Sequence, residues 1–259
     1  QVADWLLEQI KVDMRAIAVE IDHFVSERAL HERGVVGQAL EQLAARGFLY
    51  DKDGARWFRS EPFGDEKDRV VQRSNGELTY FAADIGYHGE KLARGYDELI
   101  DVWGADHHGY VKRVSAALEA LGADAGRFRV ILVQLVRLTR GGEPVRMGKR
   151  SGEFVTLREV VDEVGPDATR FFFLMRRGDS QLEFDLELAT RQSSENPVFY
   201  VQYAHARICT LFEKAAAAGV PMPAAATADL ERLAEAEEQE VVRLLARFPD
   251  VSEEAAAER

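Results

Sequence analysis

No apolar run in this chain approaches the roughly 20 residues that cross a bilayer, so a membrane-spanning helix is excluded. Cysteine is nearly absent. Cys209 stands alone, which rules out an internal disulfide and fits a reducing, cytoplasmic compartment, where the residue is expected to be a small buried hydrophobe. Basic charge is in deficit, 33 Lys and Arg against 45 Asp and Glu, and the net charge of −12 argues against nonspecific nucleic-acid binding by the whole surface. The excess acid gathers between Asp229 and Glu254, so a local basic face elsewhere stays open. A signal peptide and a helix-capping start are also missing: the chain opens in mid-pattern with Val2, Trp5, Leu6 and Ile10. With an Ala/Glu-rich tail at the other end, the expectation is a fragment of a longer protein. What remains is an ordinary globular composition, 46% hydrophobic and 30% charged, with 259 residues for one large or two smaller domains.

Apolar spacing divides the chain. From Ala3 to Gly47 it is helical, with Trp5, Leu6, Ile10, Met14, Ile17 and Ile21 on one face, the aromatics being expected in the core. From Phe48 to Phe81 the period shortens to two, predicting one hairpin turned at Asp53-Gly54 and a second turned at Asn75-Gly76. The run Asp65-Glu66-Lys67-Asp68-Arg69 reads as a solvated connection. A helical segment from Asp84 to Arg94 follows, then a buried strand at Leu99–Trp103, a helix at Tyr110–Leu121 and a second buried strand at Arg129–Leu135. Such a strand–helix–strand unit makes parallel sheets, whose ligands sit beyond the carboxyl ends of the strands. Gly104-Ala105-Asp106-His107-His108-Gly109 and Gln134 lie at those ends.

The segment Gly141–Gly152 carries Arg146, Lys149 and Arg150 within five residues, bracketed by glycines, on the return arm of a hairpin turned at Gly141-Gly142. Glycines let backbone N–H groups approach an anion, and the cations suit the phosphates of a nucleotide. Solvated surface is the plainer reading of a bare basic run. Thr156-Leu157-Arg158-Glu159 has the form of a capping box, and Gly165-Pro166 separates its helix from one containing Phe171–Met175, expected to be buried on more than one side. Asn196-Pro197 opens a long helix, and Asp229–Phe248 makes another after a Pro/Ala linker.

Taken together, Gly104–His107 and Val145-Arg146-Met147-Gly148-Lys149-Arg150-Ser151-Gly152 resemble the second half of a class I aminoacyl-tRNA synthetase. Thr79-Tyr80-Phe81-Ala82-Ala83-Asp84-Ile85 and the stretch Asn196–Ile208 are similar to arginyl-tRNA synthetase in particular, the latter to the opening of its helical anticodon-binding domain. The resemblance implies an α/β fold: the second half of a Rossmann-type nucleotide-binding catalytic domain at 81–194, a helical and β-hairpin insertion at 1–80, and the start of an all-α helical bundle at 195–259.

The same resemblance implies the chemistry. The basic loop corresponds to the Lys-Met-Ser-Lys signature, with Met147 and Lys149 matching, Arg146 in place of the first lysine and Gly148 in place of the serine. Lys149 is then the main phosphate-stabilising cation, supported by Arg146 and Arg150. Gly104, Asp106, His107, Gln134, Met147, Gly148 and Lys149 are expected at ATP, and Tyr80, Asp84 and His107 at arginine. Tyr203 and Arg207 are expected at tRNA. On the residues alone, Asp84 reads more readily as a helix cap and His107-His108 as a metal or surface pair; no cysteine or well-spaced carboxylate joins them as a zinc site. Implied partners are L-arginine, ATP with Mg2+ carried by its phosphates, and tRNA(Arg), with no tightly bound metal, no membrane and a monomeric full-length protein. The family's His-x-Gly-His signature is absent from these 259 residues, so the isolated polypeptide is expected to lack adenylation activity. Two other readings stay open: another class I synthetase, for cysteine or glutamine, and a noncatalytic tRNA-binding or regulatory paralogue.

Overall fold

Asp53 and Gly54 both take positive φ, 53° and 75°, the conformation of a two-residue hairpin turn whose twist matches its strands. They join β1 (Leu49–Lys52) to β2 (Ala55–Phe58) in antiparallel register, Leu49 opposite Phe58. This is a computed structural model, which describes residues 2–145, 155–222, 224 and 229–257.

β2 pairs in turn with β3 (Arg69–Gln72), through a bulge at Arg56 and Trp57. The second expected hairpin is cut short. Its return arm is a single bridge between Gln72 and Leu78. Tyr80 and Phe81 belong to a helix instead, α4 (Tyr80–Ala93). The cause is Thr79. Its hydroxyl accepts from the Ala82 N–H as an N-cap and donates to the carbonyls of Val70 and Val71. The charged run before β3 also departs from expectation. Asp65 is buried and holds Arg69 through two bonds of 2.6 and 2.7 Å, so it is a structural ion pair rather than a solvated link.

The first core gathers Leu30 of α2 (Glu27–Glu32), Val36, Leu40 and Leu43 of α3 (Val35–Ala45), Phe58, Val71, and Phe81 and Ile85 of α4. α3 and α4 touch through Gly86: a Cβ there would stand 2.8 Å from the Val36 Cα. Helix propensity alone favours Gly86→Ala by about 1 kcal/mol. Contact with backbone, which cannot step aside, reverses the sign. The variant is expected to lose about 1–3 kcal/mol in urea unfolding; unchanged or raised stability would show that the two helices are free to separate.

β4 (Leu99–Gly104), α5 (His108–Leu121) and β5 (Phe128–Val133) form the expected strand–helix–strand unit, the strands parallel with Leu99 opposite Phe128 and Gly104 opposite Val133. The strands are not buried on both faces. β4 alternates, with Leu99 and Asp101 inside and Ile100 and Val102 exposed, because the helices of this unit cover one side only.

Further along, β6 (Arg137–Arg140) turns at Gly141-Gly142 into β7 (Glu143–Pro144), and its other edge pairs in parallel with β8 (Glu183–Asp185), a strand too short for periodicity to announce. The capping box at Thr156 is formed and starts α6 (Leu157–Val164); Pro166 opens α7 (Pro166–Leu174). Here the expected burial is only partial. Phe172 is enclosed and stacks on Phe184, while Leu174 and Met175 are exposed. Asp185 caps α8 (Leu186–Thr190) and accepts from the N–H groups of Gly141 and Gly142 as well. Burial pushes its carboxyl up, but backbone N–H groups of Leu188, Gly142, Gly141 and Glu187 outweigh that and hold it below the usual range.

α1 (Val2–Ala16) forms as the spacing predicts, yet its aromatic is not core: Trp5 is 61% exposed, with Leu6 and Ile10 also exposed. The helix is tied to the rest by polar contacts, Arg158 to Asp13 at 3.0 Å and Arg170 to the Ile17 carbonyl at 2.5 Å.

The chain forms two compact units, divided between Val201 and Gln202. Asn196 caps α9 (Pro197–Ala217): its Oδ1 accepts from Val198 and its Nδ2 donates to the carbonyls of Ala189 and Arg191. The second unit holds the remainder of α9 and α10 (Ala236–Ala257), which begins and ends later than the expected 229–248. Cys209 is exposed on α9, not buried. Among the described residues no helix is long and apolar enough to cross a membrane.

Candidate functional site

Because α4 starts at Thr79, Tyr80 and Asp84 are one turn apart on the same helical face. Thr79 takes the capping role, so Asp84 is left for other work. That face looks across a cleft of about 540 Å³ to the carboxyl end of β4 and the first turns of α5. Tyr80, Asp84 and Tyr87 line it from α4, Trp103 and Gly104 from β4, His107 and Tyr110 from the far side. Tyr80 is 80% exposed, an aromatic surface without cover at the rim.

The floor is a buried charge network. His88 lies one turn beyond Asp84, with Nδ1 on the Asp84 carbonyl at 2.8 Å and Nε2 on the Asp101 carboxylate at 2.7 Å. Lys91 donates to the other Asp101 oxygen. Burial drives the Asp101 carboxyl upward, but the hydrogen bonds from His88 and Lys91 prevail and hold it below its ordinary 3.8. Asp101 is therefore ionised and compensated. Asp84, by contrast, has no cationic partner among the described residues; its Oδ2 accepts only from the Tyr110 hydroxyl, at 2.5 Å. The cleft thus offers one uncompensated carboxylate among four aromatic rings. Such a box selects a planar cation, which the carboxylate pairs by two hydrogen bonds and ring faces stabilise further.

A carboxyl whose folded pKa is depressed contributes stability above its unfolded value and loses it as pH falls through the folded one. The contribution of Asp101 is expected to be complete at neutral pH and to vanish below the ordinary carboxylate range. Thermal unfolding from about pH 7 to about pH 3 should show the deficit of Asp101→Asn shrinking towards zero with acid. A deficit independent of pH would rule out the ionic account.

Of the residues expected at the site, Tyr80, Asp84, Gly104 and His107 come together in this cleft. Asp106 lies beside them in a short turn, exposed, with Oδ2 3.7 Å from His107 Nε2. Gln134 follows β5 at the same end of the parallel pair as Gly104, exposed, with its backbone N–H on the Gly178 carbonyl, and does not line the cleft. Arg146, Met147, Gly148, Lys149 and Arg150 lie outside the described residues. Tyr203 and Arg207 belong to the second unit, where Arg207 Nη1 donates to the Tyr203 hydroxyl at 3.4 Å.

Sequence reasoning missed Tyr87, His88, Asp101, Trp103 and Tyr110. A signal existed for some of them. His88 repeats the four-residue step from Tyr80 through Asp84, and Asp101 is a charge inside an apolar strand, two residues from Trp103 on the same face. Tyr110 had none, since its placement depends on how α5 docks.

Residues 6–178 match the family of tRNA synthetases class I (R), catalytic domain. The chain belongs to the arginyl-tRNA synthetase family. Residues 201–259 match the DALR anticodon binding domain. The chain is 56% identical over 252 residues to the arginine–tRNA ligase of Thioalkalivibrio sulfidiphilus, covering 97% of this chain and 43% of that protein. It is 55% identical over 250 residues to that of Citrifermentans bemidjiense, covering 96% and 45%. The chain therefore spans less than half the length of these curated relatives. The arginyl-tRNA synthetase of Thermus thermophilus shares its fold, with a TM-score of 0.79 at 24% identity over 98% of this chain and 51% of that one.

Proposed function

We propose that this chain supplies the arginine pocket and the phosphate-binding loop of an arginine–tRNA ligase, which activates L-arginine with ATP and passes it to tRNA(Arg). The observation that carries the reading is Asp84, a carboxylate with no cationic partner among the described residues, in an aromatic cleft at the carboxyl end of β4. A guanidinium fits that box. A thiol or a neutral amide does not, which disfavours cysteine and glutamine as substrates.

In this reading Asp84 pairs the arginine guanidinium and Tyr80 covers it, with His107 between arginine and nucleotide. Gly104, Asp106 and Gln134 border ATP at the strand ends. Lys149, with Arg146 and Arg150, neutralises the phosphates while the arginine carboxylate attacks the α-phosphorus and pyrophosphate leaves; Met147 and Gly148 shape that loop. Positioning and charge stabilisation carry such a step, with little proton transfer by side chains. In this reading Mg2+ is carried by the ATP oxygens. We place the insertion at 1–80, the Rossmann-type half at 81–194 and the anticodon-binding helices, with Tyr203 and Arg207 at tRNA, at 195–259, in a cytoplasmic, monomeric protein.

The test is a chimera in which this chain replaces the aligned 252 residues of the Thioalkalivibrio sulfidiphilus relative. It should catalyse arginine-dependent pyrophosphate exchange in the presence of tRNA(Arg) and ignore lysine and glutamine, whereas the isolated chain, with no His-x-Gly-His signature, should give none. A folded chimera indifferent to arginine sinks the proposal.

A further inference from the structure

An aspartate side chain does not choose the plane of its own carboxylate, because rotation about its terminal bond is broad and roughly two-fold. Two parallel hydrogen bonds to a guanidinium require that plane to be fixed; a single ammonium does not. In the cleft, the Asp84 carboxylate is held at one oxygen: its Oδ2 accepts from the Tyr110 hydroxyl at 2.5 Å. Among the described residues none hydrogen-bonds Oδ1, and a carboxylate oxygen can accept more than once. Oδ1 and the second lone pair of Oδ2 are thus left as adjoining acceptors, the pattern a guanidinium fork matches.

Tyr110 is itself clamped. Its ring meets Phe81 edge-on at 6.1 Å and Trp103 at 5.9 Å, and the Arg113 guanidinium lies over it at 4.7 Å. Burial and the Asp84 carboxylate push its phenol far above the usual range, so the hydroxyl remains a proton donor at any working pH. A donor on a fixed ring, aimed at one oxygen, sets the carboxylate plane.

We propose that Tyr110 is a positioning residue for substrate selection, which locks the Asp84 carboxylate in the plane that pairs a guanidinium and so makes the pocket prefer arginine to lysine. This rests on the arginine-pocket reading above. The ring of Tyr110 packs; its hydroxyl discriminates.

Calorimetric titration of the 259-residue chain with L-arginine and with L-lysine tests it. Tyr110→Phe keeps the ring and its stacking. It should weaken arginine binding about tenfold and leave lysine binding within about twofold, so the arginine-to-lysine preference collapses; a merely structural residue would weaken both alike. If the wild-type chain prefers arginine and Tyr110→Phe keeps that preference, or loses both ligands equally, the inference is overturned and the pocket reading stands. A wild-type chain that takes lysine as well as arginine, or neither, overturns both. Should Tyr110→Phe fail to fold, Asp84→Glu decides on folded protein: it keeps the charge but moves the carboxylate off the Tyr110 hydroxyl, and should weaken arginine binding about tenfold while lysine binding stays within about twofold. Equal losses for both ligands overturn the inference.

Discussion

Asp84→Asn is expected to weaken arginine binding by about two to three orders of magnitude, the largest loss from any single substitution in the cleft. The amide has the shape of the carboxylate, so packing is kept. The charge is removed, and an NH2 replaces one acceptor. Whichever way the amide turns, it sets a donor against either the guanidinium N–H groups or the Tyr110 hydroxyl, which now bonds Oδ2 at 2.5 Å. The aromatic neighbours cannot compensate, because ring faces contribute about 1–2 kcal/mol to a bound cation. Equilibrium dialysis with labelled arginine measures it. A variant that binds within about threefold of the wild type would show that the carboxylate is not the anchor.

Lys149→Ala, introduced into the chimera with the Thioalkalivibrio sulfidiphilus relative, should slow adenylate formation by about two to three orders of magnitude while arginine affinity changes less than about twofold. The split follows from where charge develops. Lysine is a point charge that gains its partner only as the phosphates rearrange, so its contribution falls in the transition state and not in the ground-state arginine complex. Single-turnover pyrophosphate release, set beside arginine binding, separates the two. Equal losses in both would assign the loop a structural role. Arg146 and Gly148 depart from the family signature at two positions; Gly148→Ser should restore a hydroxyl and leave the sign of the loop unaltered.

The elements that were legible in the sequence are those whose cause is local. Asp53-Gly54 can turn a hairpin by itself, Thr156 and Glu159 close a capping box within four residues, and Asn196-Pro197 starts a helix from its own side chain. The errors share the opposite property. Tyr80 and Phe81 have strand-like neighbours, and the choice of helix falls to Thr79, whose hydroxyl answers to Val70 and Val71 nine and eight residues back. Trp5, Leu174 and Cys209 are apolar enough for a core and are exposed, because periodicity states which residues share a face and not whether anything covers it. Asp65 reads as solvated in a charged run until Arg69 and burial are seen together.

The basic loop, the pocket motif around Tyr80 and Asp84, and the anticodon-domain opening after Asn196 were all written in consecutive residues, and consecutive residues were enough to assign the family. What only the tertiary structure decided is the state of the carboxylates. Asp84 and Asp101 are indistinguishable as letters, but His88 and Lys91 neutralise the second and leave the first facing the cleft with Tyr110 on one oxygen. That division depends on α4, β4 and α5 meeting side by side. Charge compensation acts over a few ångströms of space, and sequence spacing does not measure that distance.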